Sequence, residues 1–423
     1  MSVGIEAINF YGGVAFLDVR TLFQARKLDL RRFDNLMMVR KSVGLPCEDP
    51  VTNAVNAAKP IIDALSDAEK KRIELLITSS ESGLDFGKAI GTYVHDLLGL
   101  SRNCRILETK QACYAGTASM QLAAGLIAAN ASPGAKALVI STDTARATLQ
   151  SSLEVGTGSG NETPMSYAEP SQGTGAVAMI VSDRPDIFEL DFGANGFCSY
   201  EVMDTCRPLP EIETGDPDLS LFSYLDCLAG SFQSYCERVE GADFGKTFDY
   251  LAFHTPFAGL VKGAHRNMMR KSKVAPAEIE ADFQRRMTPS LKYCVQVGNV
   301  YAATVFLALC GLIDHAQLTE PGRVGVFSYG SGCSSEFYSG VITRSSQQKL
   351  AGMQIGRKLE GRVGLTIEQY ERLLVLNREW VFGIKDKQAD HASYADLYDR
   401  QMLGRGLLVL KEVKGYHRTY AWS

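Results

Sequence analysis

Residues 108–120 read ETKQACYAGTASM, where a polar run gives way to a cysteine, a tyrosine and a series of small residues. This change predicts a strand or loop that leads into a helix whose first turn packs closely against its surroundings. Cys113 lies at the junction. It is either a small buried core residue or a nucleophile whose pKa is lowered by the positive end of the helix dipole.

Apolar runs of strand length flank this stretch and alternate with helical patterns. The strand-like runs cover residues 73–78, 136–142 and 175–183, and then 250–254, 324–330 and 406–413. The helical patterns cover residues 88–99, 287–297 and 300–315. Strands that alternate with helices predict an α/β fold with a largely parallel or mixed sheet.

The chain has 423 residues, which is more than one ordinary core accommodates. A polar stretch at 196–220, GFCSYEVMDTCRPLPEIETGDPDLS, interrupts the alternation and separates two halves of comparable length. No low-complexity linker joins them. We therefore expect an N-terminal half at 1–185 and a C-terminal half at 186–423, fused through one continuous core.

Composition narrows the class of protein further. Apolar residues make up 45% of the chain, and the net charge of −4 argues against a general nucleic-acid binder. The ten cysteines form no CxxC pair, so their spacing predicts neither a zinc site nor a disulfide framework. There is no signal-like N-terminus and no apolar run of the ~18 residues that a membrane span needs. These features predict a cytoplasmic protein that binds no metal and no membrane.

Four further segments carry side chains suited to chemistry, and each has a structural alternative. Glu81 follows a predicted strand, where it either faces a cleft or begins a helix. His254 ends a predicted strand, as a substrate contact or a hydrogen-bonded core residue. Asn299 is a ligand of the substrate or a helix N-cap. The turn SYGSGC (328–333) offers backbone N–H groups to an oxyanion, or is simply a tight turn.

Together, the thiol, carboxylate, imidazole, amide and glycine turn are the parts of an acyl-transfer site with an additional acid/base. In this order and spacing they resemble the 3-hydroxy-3-methylglutaryl (HMG)-CoA synthase family of the thiolase superfamily. The resemblance covers nearly the whole chain. The segments that carry it are TSSES (78–82), QACYAGTA (111–118), STDTAR (141–146), PSQGTGAVAM (170–179), CRP (206–208), FHTPF (253–257), GNVY (298–301) and FSYGSG (327–332). A ketoacyl synthase III type of enzyme fits less well, because it explains neither Glu81 nor the FHTPF context.

The resemblance implies a thiolase-like αβαβα fold of two similar halves, a homodimer, and a role for each residue. Cys113 accepts an acetyl group as a thioester, and Glu81 removes a proton from its methyl group and later protonates the new alkoxide. His254 holds the acceptor carbonyl, and Asn299 orients the acceptor. The backbone N–H groups of Cys113 and Ser331 stabilise oxyanions, and Tyr329 and Gly330 complete the substrate-binding set. No cofactor is implied beyond the phosphopantetheine arm that carries the acyl substrates.

One departure from the family pattern bears on the substrate. Synthases that act on free CoA usually carry a lysine soon after the histidine, and this chain has Gly259 there, although Lys262 follows. The basic run 25–41 is either a solvated helix face or a docking surface for acidic acyl carrier proteins (ACPs). The predicted docking residues are Arg31, Arg32, Arg40, Lys262 and Arg266.

These features resemble the branch of the family that serves polyketide pathways. Its enzymes condense acetyl-ACP with a β-ketoacyl-ACP and so install a β-branch. The alternatives are a mevalonate-pathway synthase that uses acetyl-CoA and acetoacetyl-CoA, and an inactive thiolase-fold scaffold that only binds carrier proteins. The presence of Cys113, Glu81 and His254 together speaks against the scaffold.

Overall fold

The computed structural model describes residues 2–145, 168–209 and 212–423. Its strands are β1 Gly4–Tyr11, β2 Ala15–Asp18, β3 Arg40–Val43, β4 Ile73–Ser79, β5 Arg105–Thr109, β6 Lys136–Asp143, β7 Gly175–Ser182, β8 Phe188–Ser199, β9 Thr205–Leu209, β10 Ile212–Gly215, β11 Tyr250–Phe253, β12 Gly322–Gly330, β13 Ser334–Ile342, β14 Val363–Gly364, β15 Lys387–Gln388, β16 Leu408–Lys414 and β17 His417–Trp422.

The α-helices described are α1 Val19–Ala25, α2 Leu30–Leu36, α3 Pro50–Asp63, α4 Asp67–Lys70, α5 Ile90–Leu97, α6 Ala115–Ala128, α7 Pro217–Arg238, α8 Ala258–Lys271, α9 Pro276–Asp282, α10 Thr288–Val297, α11 Thr304–His315, α12 Arg344–Ala351, α13 Ile355–Glu360, α14 Ile367–Arg378 and α15 Ala395–Gln401. A π-helical turn at Phe283–Met287 joins α9 to α10, and 3₁₀ turns lie at Tyr301–Ala303 and His391–Tyr394. No helix in the described ranges is long and apolar enough to cross a membrane.

A mixed sheet of nine strands forms the centre of the molecule, in the order β11-β12-β13-β8-β1-β7-β6-β4-β5. Strand β4 is parallel to β6, which is antiparallel to β7, which is antiparallel to β1. The same series of pairings joins β11, β12, β13 and β8. The two series meet where β1 pairs with β8 at only two positions. The predicted division at residue 185 falls between β7 and β8, and as a domain boundary it stays a prediction.

Apolar side chains cover both faces of this sheet. On one face, α6, α10 and α11 pack against strands from both series, so that Met120, Phe306, Val139 and Val326 share one core. On the other face, α3 and α5 cover β4, β6 and β7. Strands buried on both faces read as continuous apolar runs, which is why β4, β6 and β7 are recognisable from the sequence.

The predicted α/β class is confirmed, and each of the six predicted strands is present within two residues of its predicted ends. The polar stretch at 196–220 is more than a boundary between halves. It contains the end of β8, the hairpin of β9 and β10, and the beginning of α7. This hairpin brings charged side chains into the site described below.

Candidate active site

The nucleophile candidate lies at a tightly packed helix start. Cys113 precedes α6, and the residue before it, Ala112, has a φ of 43°, a conformation that L-residues rarely adopt. A Cβ atom at Gly116 would lie 2.4 Å from the carbonyl oxygen of Ala302 and 2.5 Å from Ser141 Oγ. Only glycine lets the first turn of α6 approach this closely, so the small residues after Cys113 have a steric reason.

A network of hydroxyl groups holds the first turns of α6 against the ends of β4 and β5. Ser119 Oγ donates to the carbonyl oxygen of Ala115 at 2.9 Å. It also lies 2.7 Å from Ser79 Oγ and 2.6 Å from Thr109 Oγ1. The ends of β4 and β5 are therefore tied to α6, and the position of Cys113 follows from them.

Cys113 and Glu81 are in direct contact. Cys113 Sγ donates a hydrogen bond to Glu81 Oε1 at 3.2 Å, and both side chains lie largely out of solvent. Burial raises the pKa of the Cys113 thiol well above its usual value, and the adjacent Glu81 raises it further. The expectation that the helix dipole lowers this pKa is therefore wrong for the resting site. The sequence places the helix behind the thiol but does not reveal the carboxylate in front of it.

Glu81 lies in the loop after β4, nine residues before α5 begins, so it is not a helix N-terminal residue. Asp143, at the end of β6, fixes the loop: its Oδ1 accepts from Glu81 N at 2.8 Å, Ser82 N at 3.0 Å and Ser80 Oγ at 3.1 Å. Burial and then the charge of Glu81 raise the pKa of Asp143 to about 7. Burial also raises the pKa of Glu81, while Arg207 opposes this shift.

Arg207 and Glu213 reach Glu81 from the β9–β10 hairpin. Arg207 Nη1 donates to the carbonyl oxygen of Glu81 at 3.1 Å, and its Nε lies 3.8 Å from Glu81 Oε2. Its Nη2 donates to Glu213 Oε2, also at 3.1 Å, and its guanidinium lies 4.6 Å from the centre of the Tyr301 ring. The buried Glu81 carboxylate thus lies beside the buried guanidinium of Arg207, which also binds the Glu213 carboxylate.

His254 is buried and uncharged. It follows β11, where its backbone N–H donates to the carbonyl oxygen of Phe327 at 2.8 Å, and only 1% of its surface is exposed. Burial lowers its pKa to about 3. Its Nδ1 is buried and has no hydrogen-bond partner among the described residues. A neutral imidazole with an unused ring nitrogen can donate to, or accept from, a substrate oxygen without changing charge.

Asn299 lies in the turn between α10 and the 3₁₀ turn at Tyr301–Ala303. Its Oδ1 accepts from Tyr301 N at 3.0 Å and from Thr304 Oγ1 at 2.8 Å, although the N-cap position of the turn belongs to Val300, one residue later. Its backbone pairs with Gln172, whose Nε2 donates to Glu213 Oε2 at 3.4 Å. Asn299 is therefore joined to the Glu81 cluster, and its contact with a substrate stays a prediction.

The glycine turn after β12 lies beside Cys113. A Cβ atom at Gly330 would lie 2.6 Å from both Gln111 O and Tyr114 N, so the chains on either side of Cys113 touch this glycine. The Tyr329 hydroxyl donates to the buried Asp204 at 2.6 Å, and its contact with a substrate stays a prediction. Ser331 follows at the half-exposed start of the turn, and its oxyanion role stays a prediction.

The predicted docking residues belong to three elements. Arg31 and Arg32 lie on α2, Lys262 and Arg266 on α8, and Arg40 at the start of β3. Arg31 is exposed and donates to Asp29 at 2.8 Å, and Lys262 donates to Glu280 at 3.0 Å. Arg40 lies 4.2 Å from the centre of the Phe16 ring.

Gly259 lies at a close contact between helices α2 and α8. A Cβ atom at Gly259 would lie 1.7 Å from the carbonyl oxygen of Asn35, in the last turn of α2. The glycine that departs from the CoA-type pattern is thus the point at which the basic helix α2 packs onto α8.

Sequence reasoning missed Arg207, Glu213 and Asp143 as parts of the site. Arg207 was within the CRP segment and Asp143 within STDTAR, but neither had a predicted role, and Arg146 lies outside the described residues. Glu213 carried no signal at all. The described residues contain no group of three or more His, Cys, Asp or Glu that could hold a metal ion.

The fold and this arrangement define an acyltransferase that makes a carbon–carbon bond from a cysteine-bound acyl group. A sequence profile described as hydroxymethylglutaryl-coenzyme A synthase C terminal matches residues 269–422. The polyketide biosynthesis 3-hydroxy-3-methylglutaryl-ACP synthase PksG of Bacillus subtilis is 52% identical over 423 residues, covering 100% of this chain and 99% of that protein. The chain belongs to the hydroxymethylglutaryl-CoA synthase family.

Other relatives agree with this assignment. The hydroxymethylglutaryl-CoA synthase of Enterococcus faecalis is 32% identical over 384 residues, which cover 88% of this chain and 91% of that enzyme. The crystal structure of the HMG synthase of the curacin biosynthetic pathway, in complex with holo donor-ACP, superposes with a TM-score of 0.95 at 54% identity over all of both chains. The predicted thiolase-like HMG synthase fold is therefore confirmed.

Proposed function

We propose that this enzyme condenses an acetyl group from acetyl-ACP with the β-carbonyl of a β-ketoacyl-ACP and so installs a β-branch during polyketide biosynthesis. The observation that carries the proposal is the hydrogen bond of 3.2 Å between Cys113 Sγ and Glu81 Oε1. A thiol beside a base is the arrangement that acyl transfer requires, and the same base lies beside whatever group the sulfur carries.

The geometry supports two successive uses of Glu81. Its carboxylate can take the thiol proton as Cys113 attacks the thioester carbonyl of the donor, and pass it to the departing pantetheine thiolate, which leaves Glu81 ionised again. Once the acetyl group is on sulfur, its methyl carbon is two bonds from Sγ and lies within reach of the same carboxylate. Removal of a methyl proton forms an enolate that attacks the acceptor β-carbonyl. The resulting alkoxide takes the proton back from Glu81, and hydrolysis of the thioester frees Cys113.

His254 is suited to bind the acceptor carbonyl as a neutral donor. An imidazole whose pKa is about 3 does not titrate in the physiological range, so it stabilises developing negative charge by a hydrogen bond and not by a full positive charge. The backbone N–H groups near Gly330 and Cys113 supply the corresponding donors for the acetyl thioester.

The preference for ACP is supported by relatives and by packing. PksG is described as a 3-hydroxy-3-methylglutaryl-ACP synthase, and the structure of the curacin HMG synthase contains a donor-ACP. Gly259 lets α2 lie against α8, which brings Arg31 and Arg32 next to a second basic helix. A positive face of this kind is complementary to an acidic carrier protein.

We also propose that the enzyme is a cytoplasmic homodimer. The nine-stranded sheet ends at β5, whose outer edge pairs with no other described strand, and Leu107 on this strand is 39% exposed. An open edge of this kind is a surface at which a second copy can continue the sheet.

The function is tested with purified donor and acceptor ACPs and two variants. Glu81→Ala should still take an acetyl group from acetyl-ACP onto Cys113, more slowly because the base for the thiol proton is missing, but form no branched product, because the base that makes the enolate is missing too. Cys113→Ser should accumulate no acetyl-enzyme on the same timescale. Intact-protein mass spectrometry follows the acetyl-enzyme, and the mass of the acceptor ACP follows condensation. Wild-type protein that takes no acetyl group from either acetyl-ACP or acetyl-CoA would favour the scaffold alternative.

A further inference from the structure

Glu81 has two roles in condensation, and they make opposite demands on its acidity. It must be ionised to remove a proton from the acetyl methyl group, and it must then return a proton to the alkoxide. A general acid/base works best when its pKa lies near the working pH. Burial alone would leave the carboxylate largely protonated and so unavailable as a base, whereas a strong adjacent cation would leave it ionised but too weak a base to take the methyl proton.

The charged and titratable groups around Glu81 come from three sides. Cys113 and Lys110 lie on the segment before α6, Asp143 ends β6, and Arg207, Glu213 and Tyr301 lie on the remaining side. Of these, Arg207 is the cation that donates to the Glu81 main chain and also lies beside its carboxylate. Its Nε is buried without a hydrogen-bond partner among the described residues, 3.8 Å from Glu81 Oε2.

Glu213 also pairs with Arg207 and offsets part of its positive charge. Its Oε2 accepts from Arg207 Nη2 at 3.1 Å, and Gln172 Nε2 approaches the same oxygen at 3.4 Å. Because Glu213 is buried to about the same extent as Arg207, its negative charge is poorly screened and partly cancels the field of the guanidinium at Glu81. The contact of Arg207 Cζ with the Tyr301 ring, at 4.6 Å from its centre, helps to hold the guanidinium near both carboxylates.

We propose that Arg207 and Glu213 are a pair of positioning residues that sets the acidity of Glu81 for both proton transfers. Arg207 keeps enough negative charge on Glu81 for it to act as the base. Glu213 weakens the influence of Arg207, so that Glu81 remains basic enough to take the methyl proton that it later returns to the alkoxide. The inference rests on the proposed function, because it presupposes that Glu81 removes and returns a proton.

The experiment measures the pH dependence of condensation separately from acylation. Enzyme is first acetylated on Cys113, then mixed with acceptor β-ketoacyl-ACP, and product is quantified in a single turnover across pH. Condensation needs ionised Glu81, so its rate rises with pH through a midpoint that belongs to Glu81 coupled to Asp143. Arg207→Met should move this midpoint up by about 1–3 pH units, the usual effect of losing an opposite charge at this distance.

Glu213→Gln is the matched variant, because it keeps the size of the side chain and removes only its charge. It should move the midpoint in the opposite direction, down by about 1 pH unit, and slow the turnover at neutral pH. Arg207→Lys should restore the midpoint partly toward the wild-type value. Local damage to the site changes rates, but it does not shift the midpoint in opposite directions in two variants.

The outcomes separate the two proposals. If both variants lower the rate and leave the midpoint unchanged, Arg207 and Glu213 are structural and this inference is wrong, while the proposed function stands. If both variants shift the midpoint upward, Glu213 does not act through Arg207, and the inference also fails. If wild-type acetyl-enzyme does not condense with any β-ketoacyl-ACP, the proposed function itself fails.

Discussion

Gly259→Ala is the substitution that most directly links the packing of α2 to substrate choice. The added Cβ atom would lie 1.7 Å from Asn35 O, and real contacts of this kind are essentially never under 3.0 Å. The helices α2 and α8 must therefore separate locally by roughly 1.3 Å or more. Forcing extra volume into a packed contact typically costs about 1–3 kcal/mol. At about 1.4 kcal/mol per factor of ten, the equilibrium constant that favours α2 in place falls about 5- to 150-fold.

The assay compares two donors of the same acetyl group. Acetylation of Cys113 is followed by rapid quench and intact mass, with acetyl-ACP or acetyl-pantetheine as the donor. The variant should lose up to about 150-fold in kcat/KM for acetyl-ACP, because Arg31 and Arg32 move with α2. Its reaction with acetyl-pantetheine should remain close to wild type, since Cys113 and Glu81 lie on other elements.

Gly263→Ala is the matched control for this prediction. Gly263 lies on the same helix, α8, and an added Cβ atom there meets no atom within 4 Å. This variant should use both donors as the wild type does and should be slightly more stable, because alanine favours a helix over glycine. If Gly259→Ala uses acetyl-ACP as well as Gly263→Ala does, the position of α2 does not govern recognition of the carrier protein.

Two further predictions concern buried titratable groups. His254→Asn should leave acylation of Cys113 largely intact and slow condensation about 10²- to 10³-fold, as for loss of one donor to an oxyanion; an equal effect on both steps in single-turnover assays would contradict its role at the acceptor. Glu336 is buried, and burial raises its pKa from 4.5 to about 7. The folded state therefore holds more protons than the unfolded state between those values, and stability falls as pH rises through that window, by on the order of 3 kcal/mol from this residue. Urea unfolding of Glu336→Gln at pH 4.5 and pH 8 should show a smaller loss of stability than the wild type, and an identical loss in both proteins would show that Glu336 does not titrate in this way.

Much of the fold is predictable because its central strands are buried on both faces. β4, β6 and β7 are predominantly apolar runs, and their length and the charged or glycine residues near their ends favour strands over helices. Strand β8 was not recognised, because its sequence FELDFGANGFCS mixes exposed and buried positions and runs into the polar stretch. The hairpin of β9 and β10 was missed for the same reason.

The residues of the site that have a local sequence signal could be predicted. Those that reach the site through contacts between distant parts of the chain could not. Cys113, Glu81 and His254 each stand next to a strand end, which is a local signal. The influence of Arg207 on Glu81 joins residues 126 positions apart, and no local pattern encodes such a contact. The same limit explains the error in the pKa of Cys113: the helix behind the thiol is local in sequence, whereas the carboxylate in front of it is 32 positions away.

The use of acetyl-ACP as the donor is tested most directly by a competition between carriers for Cys113. Glu81→Ala protein, which should stop at the acetyl-enzyme, is mixed with equal concentrations of acetyl-ACP and acetyl-CoA whose acetyl groups carry different isotope labels. Intact mass then reports which donor supplied the acetyl group on Cys113. The label from acetyl-ACP should predominate at early times, and salt should reduce its advantage. Predominance of the label from acetyl-CoA, unchanged by salt, would contradict the use of acetyl-ACP and favour a synthase of the mevalonate type.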